Sequence, residues 1–342
     1  MNTQTQMRRE ILEIPRAVDR LLHRGGDDIR SAAEAIRARN PSYMVTVARG
    51  SSDHVATYLK YTSELLTGTP IASLGPSIAS IYNRKLNLAG SVCLSVSQSG
   101  KSPDIVEMAR MAQQGGALSI AMTNHTDSPL AQVADHCLNL HAGPEISVAA
   151  TKTFVNSAVA GIWMQAEWAE DDALRAAIMD LPSKLEKAVN IDWPEARAAL
   201  GARNSIFCLG RGPAYAISNE AALKFKETCQ IHAESYSSAE VLHGPVSIVD
   251  SGFPVIALAA EDEAESALAG VADQIAAKGA TVFATSEKAM QASRLPTVRT
   301  GHPLIDPICL IASFYAMVER TAAARGINPD APRHLKKVTE TV

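Results

Sequence analysis

No CxxC pair, no HxH and no HExxH occurs in the 342 residues. That removes the usual ligand spacings of structural and catalytic zinc. His232 and Glu234 stand as an isolated H-x-E without further ligands, so no metal is assigned. Cysteine is sparse: Cys93, Cys137, Cys208, Cys229 and Cys309 make an odd count of five, three of them in apolar strand-like runs. They read as small buried hydrophobes in a reducing compartment rather than as disulfides or thiol nucleophiles. An excess of one charge is also missing. Lys and Arg total 32 against 36 Asp and Glu, a net charge of −4, which leaves no basic footprint for nucleic acid. No window approaches the roughly 18 uninterrupted apolar residues of a membrane span. The polar start, Met1 to Arg9, is not followed by an apolar signal core, so a cytoplasmic protein without membrane contact is expected. A complete P-loop is absent too. Gly100-Lys101-Ser102 matches its end, but its first glycine would fall on Ser95, inside a strand, which argues against a nucleotide; no cofactor is assigned.

What is present is an ordinary globular mix, 46% hydrophobic and 20% charged, over a length comfortable for two domains. Helical patterns over about Arg8–Leu22 and Asp27–Arg39 come first. A strand, Tyr43 to Ala48, then runs into Arg49-Gly50-Ser51-Ser52 and a helix, His54 to Leu66. The strand Ser91–Val96 runs into Ser97-Gln98-Ser99-Gly100 and a helix from Pro103; the strand Ala117–Met122 follows. Long helical patterns cover Thr151–Ala169 and Asp171–Val189. The alternation then recurs: Ser205–Leu209, Gly210-Arg211-Gly212, a helix Ala214–Thr228, a strand Pro254–Ala259, a helix Asp262–Lys278 and a strand Thr281–Thr285. Arg49 and Arg211 lie 162 residues apart, as do Gly90 and Gly252, while Gly116 and Gly279 lie 163 apart. Three landmarks at nearly one spacing read as an internal duplication. Strand–helix alternation predicts α/β architecture, two tandem doubly wound, flavodoxin-like parallel sheets sandwiched by helices. The expected boundaries are a helical extension 1–23, a first domain with linker helices 24–190, a second domain 191–325, and a tail 326–342 that closes over the site.

Ligands of such sheets bind beyond the carboxyl ends of the strands. In Ser97-Gln98-Ser99-Gly100-Lys101-Ser102 most residues carry hydroxyl or amide donors, and the helix from Pro103 directs its free N–H groups at them. That arrangement suits a phosphate held without metal; a plain Ser-rich turn with capping hydroxyls fits the loop equally well. On the helix after Gly210-Arg211-Gly212, Glu220, Lys224 and Glu227 are spaced i, i+4, i+7 and share one face. A carboxylate beside an ammonium is a usable acid/base pair if the face is enclosed, and a salt-bridged surface stripe if it is not. His243, before Gly244-Pro245, sits on a loop, with a side chain suited to proton transfer near neutrality. The basic segment Pro332–Thr339 is either a solvated tail or the carrier of a lysine nucleophile toward a carbonyl.

Taken together these segments resemble the sugar-isomerase (SIS) family, specifically the isomerase half of glucosamine-6-phosphate synthase and the stand-alone SIS-type glucosamine-6-phosphate deaminases. The resemblance covers nearly the whole chain. It rests on Ser97-Gln98-Ser99-Gly100, on Glu145-Ile146-Ser147-Val148-Ala149-Ala150-Thr151-Lys152, on Ala222-Leu223-Lys224-Phe225-Lys226-Glu227, on Ile231-His232-Ala233-Glu234 and on His243-Gly244-Pro245. It implies that Gly50, Ser51, Ser52, Ser97, Gln98, Ser99 and Ser102 hold the phosphate and hydroxyls of a six-carbon sugar phosphate. It implies backbone contacts from Val148. Glu227 would be the base between C1 and C2, supported by Glu220 and Lys224. His243 would assist ring opening in the neighbouring subunit of a homodimer with shared active sites, and Lys337 would form a Schiff base with the ketose.

Two departures stand out: Arg49 replaces a cysteine and Lys101 an acid, both adding positive charge near the loop. Asn2 excludes an N-terminal cysteine nucleophile and no glutaminase segment is present, so the expected reaction is deamination of glucosamine 6-phosphate to fructose 6-phosphate and ammonia. An ammonia-dependent isomerising aminotransferase and a fructosamine-phosphate deglycase are the close alternatives. A non-catalytic sugar-phosphate sensor is the more distant one, and the survival of Glu227, His243 and Lys337 together argues against it.

Overall fold

The computed structural model describes residues 4–201 and 203–337. They divide into two compact units. The first comprises 15–145, 152–180 and 336–337, the second 4–14, 146–151, 181–201 and 203–335.

In the first unit five strands, β1 Met44–Val47, β2 Ile71–Ser73, β3 Val92–Val96, β4 Leu118–Thr123 and β5 His136–Asn139, pair in the order β2-β1-β3-β4-β5, all parallel. Every residue of β1 and β3 is buried, as a sheet covered on both faces requires. Val45, Val47, Cys93 and Ala121 join Ile105, Val106, Met108 and Ala109 of the helix Pro103–Gln114 in one apolar cluster. Strand alternation turns Met44, Thr46 and Leu94 to the opposite side. The helices Gly26–Arg39 and Ser51–Thr67 both contact the helix Lys152–Ala169. That last helix is buried from Lys152 through Ala166, so it is a core element rather than a surface one.

The second unit repeats the plan. Its strands are β6 Ser205–Gly210, β7 His232–Ser237, β8 Pro254–Ala257, β9 Thr281–Ala284 and β10 Ser293–Arg294, in the order β10-β9-β8-β6-β7. Taken from β7, that order is the first sheet's order again, with β6 in the place of β1 and β8 in the place of β3. Phe207, Leu209, Val255, Ala257 and Val282 form a core with Leu268, Ala272 and Ile275 of the helix Glu265–Ala276. Phe207 meets Tyr236 and Phe253 edge-on at centroid distances of 5.1 and 4.8 Å. The duplication reaches the backbone. Gly50 and Gly212 open their helices at φ of 55° and 57°, where a side chain would be strained.

Two expectations needed correction. The pattern Asp171–Val189 is not one helix but two, Asp172–Met179 and Leu181–Ala188. Pro182 has no N–H to continue the first helix and suits the first turn of the second. The helix Asp306–Ala324 was not anticipated. It is buried nearly all round, so it lacks the apolar stripe that marks a surface helix. Among the described residues no helix is long and apolar enough to cross a membrane, and no three His, Cys, Asp or Glu side chains are grouped as metal ligands would be. All five cysteines are free; burial pushes the Cys93 and Cys229 thiols up to about 12, far from thiolate chemistry.

Trp193 is a fully buried side chain of the second unit, and its Nε1 donates to the Pro296 carbonyl at 2.9 Å. Trp193→Ala is expected to destabilise this unit by about 3–5 kcal/mol, with Trp193→Phe costing less. Urea unfolding followed by circular dichroism measures both.

Candidate active site

The carboxyl ends of β1 and β3 are neighbours, and the chain leaves them in opposite directions around the sheet, the place where doubly wound folds hold ligands. The loops there are Arg49–Ser52 and Ser97–Ser102. Ser97 Oγ accepts from the Gly100 N–H at 3.2 Å, and Ser99 Oγ accepts from the Lys101 N–H at 3.3 Å. Both hydroxyls are used as acceptors, so each still has its proton to donate. The two readings of this loop are thus one structure: the serines shape the turn and present O–H groups from it. Gly100 sits at φ 63°, and a Cβ there would collide with the Ser128 side chain, so the tight path of the loop requires glycine. Ser102 occupies the N-cap position of the helix Pro103–Gln114, yet its side chain makes no capping bond. Pro103 has no N–H and the Ile105 N–H donates to Asp104 Oδ1 at 2.9 Å, so the Asp104 N–H is the first-turn donor left to an anion. Ser51, Ser52 and Gln98 are half-buried beside this loop's strands. The Gln98 carbonyl is held by Thr123 Oγ1 and the Asn124 N–H at 3.2 and 3.1 Å.

Arg49 does not add free positive charge here. Its Nε and Nη2 donate to Asp104 Oδ2 at 3.2 and 3.0 Å, and the Asp104 side chain is fully buried. The guanidinium is committed to that carboxylate, and Lys101 is the exposed cation of the loop.

The equivalent edge of the second unit has a different fate. Ser97 and Ala259 are 162 residues apart, and Ala259-Ala260-Glu261-Asp262 stands where the first unit has Ser97-Gln98-Ser99-Gly100. Arg299 fills that edge: its guanidinium donates to the Ala259 and Thr285 carbonyls at 2.9 and 2.7 Å and to Asp306 at 3.3 Å. One half of the duplication keeps a polar cradle, and the other has closed it with its own side chain.

The second unit instead carries an ionic cluster on the helix Pro213–Cys229. Pro213 opens this helix and Gln230, in the left-handed region, ends it. The i, i+4, i+7 spacing does place Glu220, Lys224 and Glu227 on one face, and that face is enclosed. The Lys224 and Glu220 side chains are fully buried, and Glu227 retains 20% exposure. Lys224 Nζ lies 3.2 Å from Glu220 Oε1 and 2.5 Å from Glu227 Oε2. From the helix Asp306–Ala324, Tyr315 Oη donates to Glu220 Oε1 at 3.0 Å. Burial by itself would lower the Lys224 ammonium, but Glu220 and Glu227 outweigh it and hold the group above its ordinary value. The surface-stripe reading of this motif is excluded. Tyr315 was missed because nothing in the sequence links position 315 to position 220.

His243 ends a short 3-10 turn, Val241–His243, and is exposed. Val148 belongs to the second unit, in a segment whose Ile146 and Ser147 N–H groups donate to Glu10 at 2.5 and 3.3 Å. Lys337 belongs to the first unit, where its Nζ donates to Glu145 Oε2 at 3.0 Å. Glu145 and Glu10 had been given no role. The first stood inside a motif read only for Val148, and the second lies far from the segment it holds.

These features define a duplicated, doubly wound α/β protein with one polar helix-capped loop and one buried acid–base cluster. The SIS domain signature matches residues 39–162 and 200–323, once on each half. The chain belongs to the SIS domain family. It is 31% identical over 341 residues to a glutamine–fructose-6-phosphate aminotransferase (isomerizing) of Sulfurisphaera tokodaii, covering 97% of this chain and 56% of that protein. The chain thus spans little more than half the length of that relative. A crystal structure of a provisionally named phosphosugar isomerase from Silicibacter pomeroyi DSS-3 superposes with a TM-score of 0.93 at 64% identity, over 96% of this chain and all of that one. A glucosamine-6-phosphate deaminase from Thermotoga maritima shares the fold, with a TM-score of 0.74 at 19% identity over 98% and 100% of the two chains.

Removing the ammonium of Lys224 strands a buried carboxylate. Lys224→Met is expected to destabilise the second unit by about 3–5 kcal/mol. A group whose value is raised on folding contributes stability that is intact below its ordinary value and is lost as pH climbs through the raised one. The wild type should therefore lose stability progressively above about pH 10.4. Lys224→Met should lack that component, as denaturant midpoints measured from pH 7 to 11 would show.

Proposed function

We propose that this chain is a phosphosugar isomerase whose reaction includes the nitrogen at C2: glucosamine 6-phosphate and water give fructose 6-phosphate and ammonia. The observation that carries the reading is the enclosed Glu220–Lys224–Glu227 cluster, in which only Glu227 reaches solvent. Lys224 takes one oxygen of Glu227. The other is left to meet a substrate proton.

The steps follow from the chemistry of an amino aldose. His243 assists opening of the pyranose ring, which exposes an aldehyde at C1. That carbonyl acidifies the C2 proton, Glu227 removes it, and the same carboxylate returns a proton to C1. The nitrogen at C2 gives up one proton as O1 gains one, so the product is an imine at C2 beside a C1 hydroxymethyl group. Attack on C2 by water, or by the Lys337 amine in transimination, expels the nitrogen as ammonia. The phosphate is assigned to Ser97, Ser99 and Ser102 with the helix N-terminus behind them, and to the Gly50-Ser51-Ser52 turn. Gln98 and the Val148 backbone are assigned to the sugar hydroxyls. Because His243 is exposed on its own chain, the reading places it in the site of a partner in a homodimer, and sedimentation of the active species as a monomer would contradict that.

A second reading is net amination of fructose 6-phosphate by ammonia, and the likeness to a glutamine–fructose-6-phosphate aminotransferase (isomerizing) lends it support. By microscopic reversibility the same groups serve both directions, and the ammonia concentration sets which is seen. The match to aminotransferases therefore supports the C1–C2 chemistry without choosing its direction.

Ammonia release from glucosamine 6-phosphate, measured by a coupled assay, tests the reading. Glu227→Gln is expected to lower kcat by about 10²–10⁴-fold while binding persists. Ser99→Ala is expected to raise KM by roughly 10–100-fold, the loss of one hydrogen bond to a charged group. Lys337→Ala separates the two routes: a large fall in kcat supports transimination, and little change supports direct hydrolysis. Near-normal turnover by Glu227→Gln would remove Glu227 as the base. Absence of ammonia release from the wild type would remove the deaminase reading.

A further inference from the structure

Glu145 lies just before the helix Lys152–Ala169, with its side chain fully buried. Its Oε1 accepts from the Thr153 N–H at 3.1 Å, and its Oε2 accepts from Thr153 Oγ1 at 2.6 Å. Thr153 is the second residue of that helix, so a backbone donor at a positive helix end already stabilises the carboxylate and fixes its direction. The same Oε2 accepts from Lys337 Nζ at 3.0 Å, across 192 residues of sequence. A buried carboxylate needs a counter-charge, and here a basic segment that would otherwise be a solvated tail supplies one. The carboxylate is built into the fold; the lysine comes to it.

We propose that Glu145 is the positioning residue of Lys337: it holds the lysine through this ion pair and takes the proton that Lys337 must lose before its amine can attack a sugar. The catalytic part of this inference rests on the transimination route proposed above. In the resting protein the pair is carboxylate and ammonium. When the sugar imine is in place, the N–H bond of the ammonium breaks and an O–H bond forms on Glu145, leaving a neutral amine and a carboxylic acid. The amine then bonds to C2, and the proton held by Glu145 passes back through the Lys337 nitrogen to the departing nitrogen, which leaves as ammonia; water then hydrolyses the C2=N bond to Lys337. The carboxylate never touches the sugar; it acts through Lys337.

Acylation of Lys337 by an N-hydroxysuccinimide ester of acetate at pH 7.5, quantified by peptide mass spectrometry, reads the pair without any turnover. Glu145→Gln, which keeps the size of the side chain and removes its charge, should raise the Lys337 acylation rate severalfold, because the amine is no longer held in a charge-assisted hydrogen bond; Glu145→Asp should restore part of the protection. An unchanged acylation rate in a folded Glu145→Gln protein overturns the pairing. Lys337→Gln tests the pair from its half-buried side. Amide exchange at residues 336 and 337 should become faster, and unchanged exchange overturns the pairing as well. In the ammonia-release assay Glu145→Gln should lower kcat at least tenfold with KM within about twofold, whereas loss of a merely structural contact would shift stability and leave that split unmoved. Faster acylation with normal kcat keeps the ion pair and overturns its part in turnover. A wild type that releases no ammonia would overturn the deaminase reading, while acylation and exchange would still decide whether Glu145 holds the lysine.

Discussion

Lys224 is an ammonium with no access to water, and a charge so placed is tolerable only with carboxylates at hydrogen-bonding distance on fixed bearings. The helix Pro213–Cys229 provides them by spacing alone, with Glu220 one turn before and Glu227 one turn after. Two carboxylates against one ammonium leave a negative charge over. Tyr315 donates to the buried carboxylate, Glu220, which leaves the excess on the partly exposed one, Glu227. A buried ion pair is weak evidence of stability, since apolar residues of like volume often do as well. What the pair does here is fix the direction of the Glu227 carboxylate, one oxygen of which Lys224 holds.

The duplicated halves show how one fold distributes different tasks. Each sheet has the same strand order and the same glycine-opened helix after its first strand. In one half the edge at β3 carries the Ser97 and Ser99 hydroxyls at the start of the helix Pro103–Gln114. In the other the matching edge is occupied by Arg299, which satisfies two strand-end carbonyls and one carboxylate. That half carries the buried Glu220–Lys224–Glu227 cluster on the helix beside it instead. Arg49, by contrast, leaves its edge open, because Asp104 at the start of the next helix holds its guanidinium.

Much of this was legible in the sequence, because the elements concerned carry local signals. β-branched runs ending in Gly- and Ser-rich turns marked β1, β3, β6 and β8, and the three landmarks near one spacing marked the repeat. The i, i+4, i+7 spacing put Glu220, Lys224 and Glu227 on one face, but it could not say whether that face met water; burial depends on the helix Asp306–Ala324, whose own pattern is apolar on every side. The roles of Tyr315, Glu10 and Glu145 were not legible either. Each acts on a residue or segment more than 90 positions away in the chain, and such pairings follow from tertiary structure rather than from any periodicity. The break at Pro182 could have been read, since proline cannot continue a preceding helix; it was lost inside a longer amphipathic pattern.

The central claim is that Glu227 is the base between two adjacent sugar carbons. A crystal structure of the protein with glucosamine 6-phosphate bound, prepared with Glu227→Gln to hold the substrate, tests it most directly. The account predicts the side-chain carboxamide within about 3–3.5 Å of both C1 and C2, the separation of a reactive geometry. A sugar bound with C1 and C2 facing another acid or base, and residue 227 remote from both carbons, would contradict it.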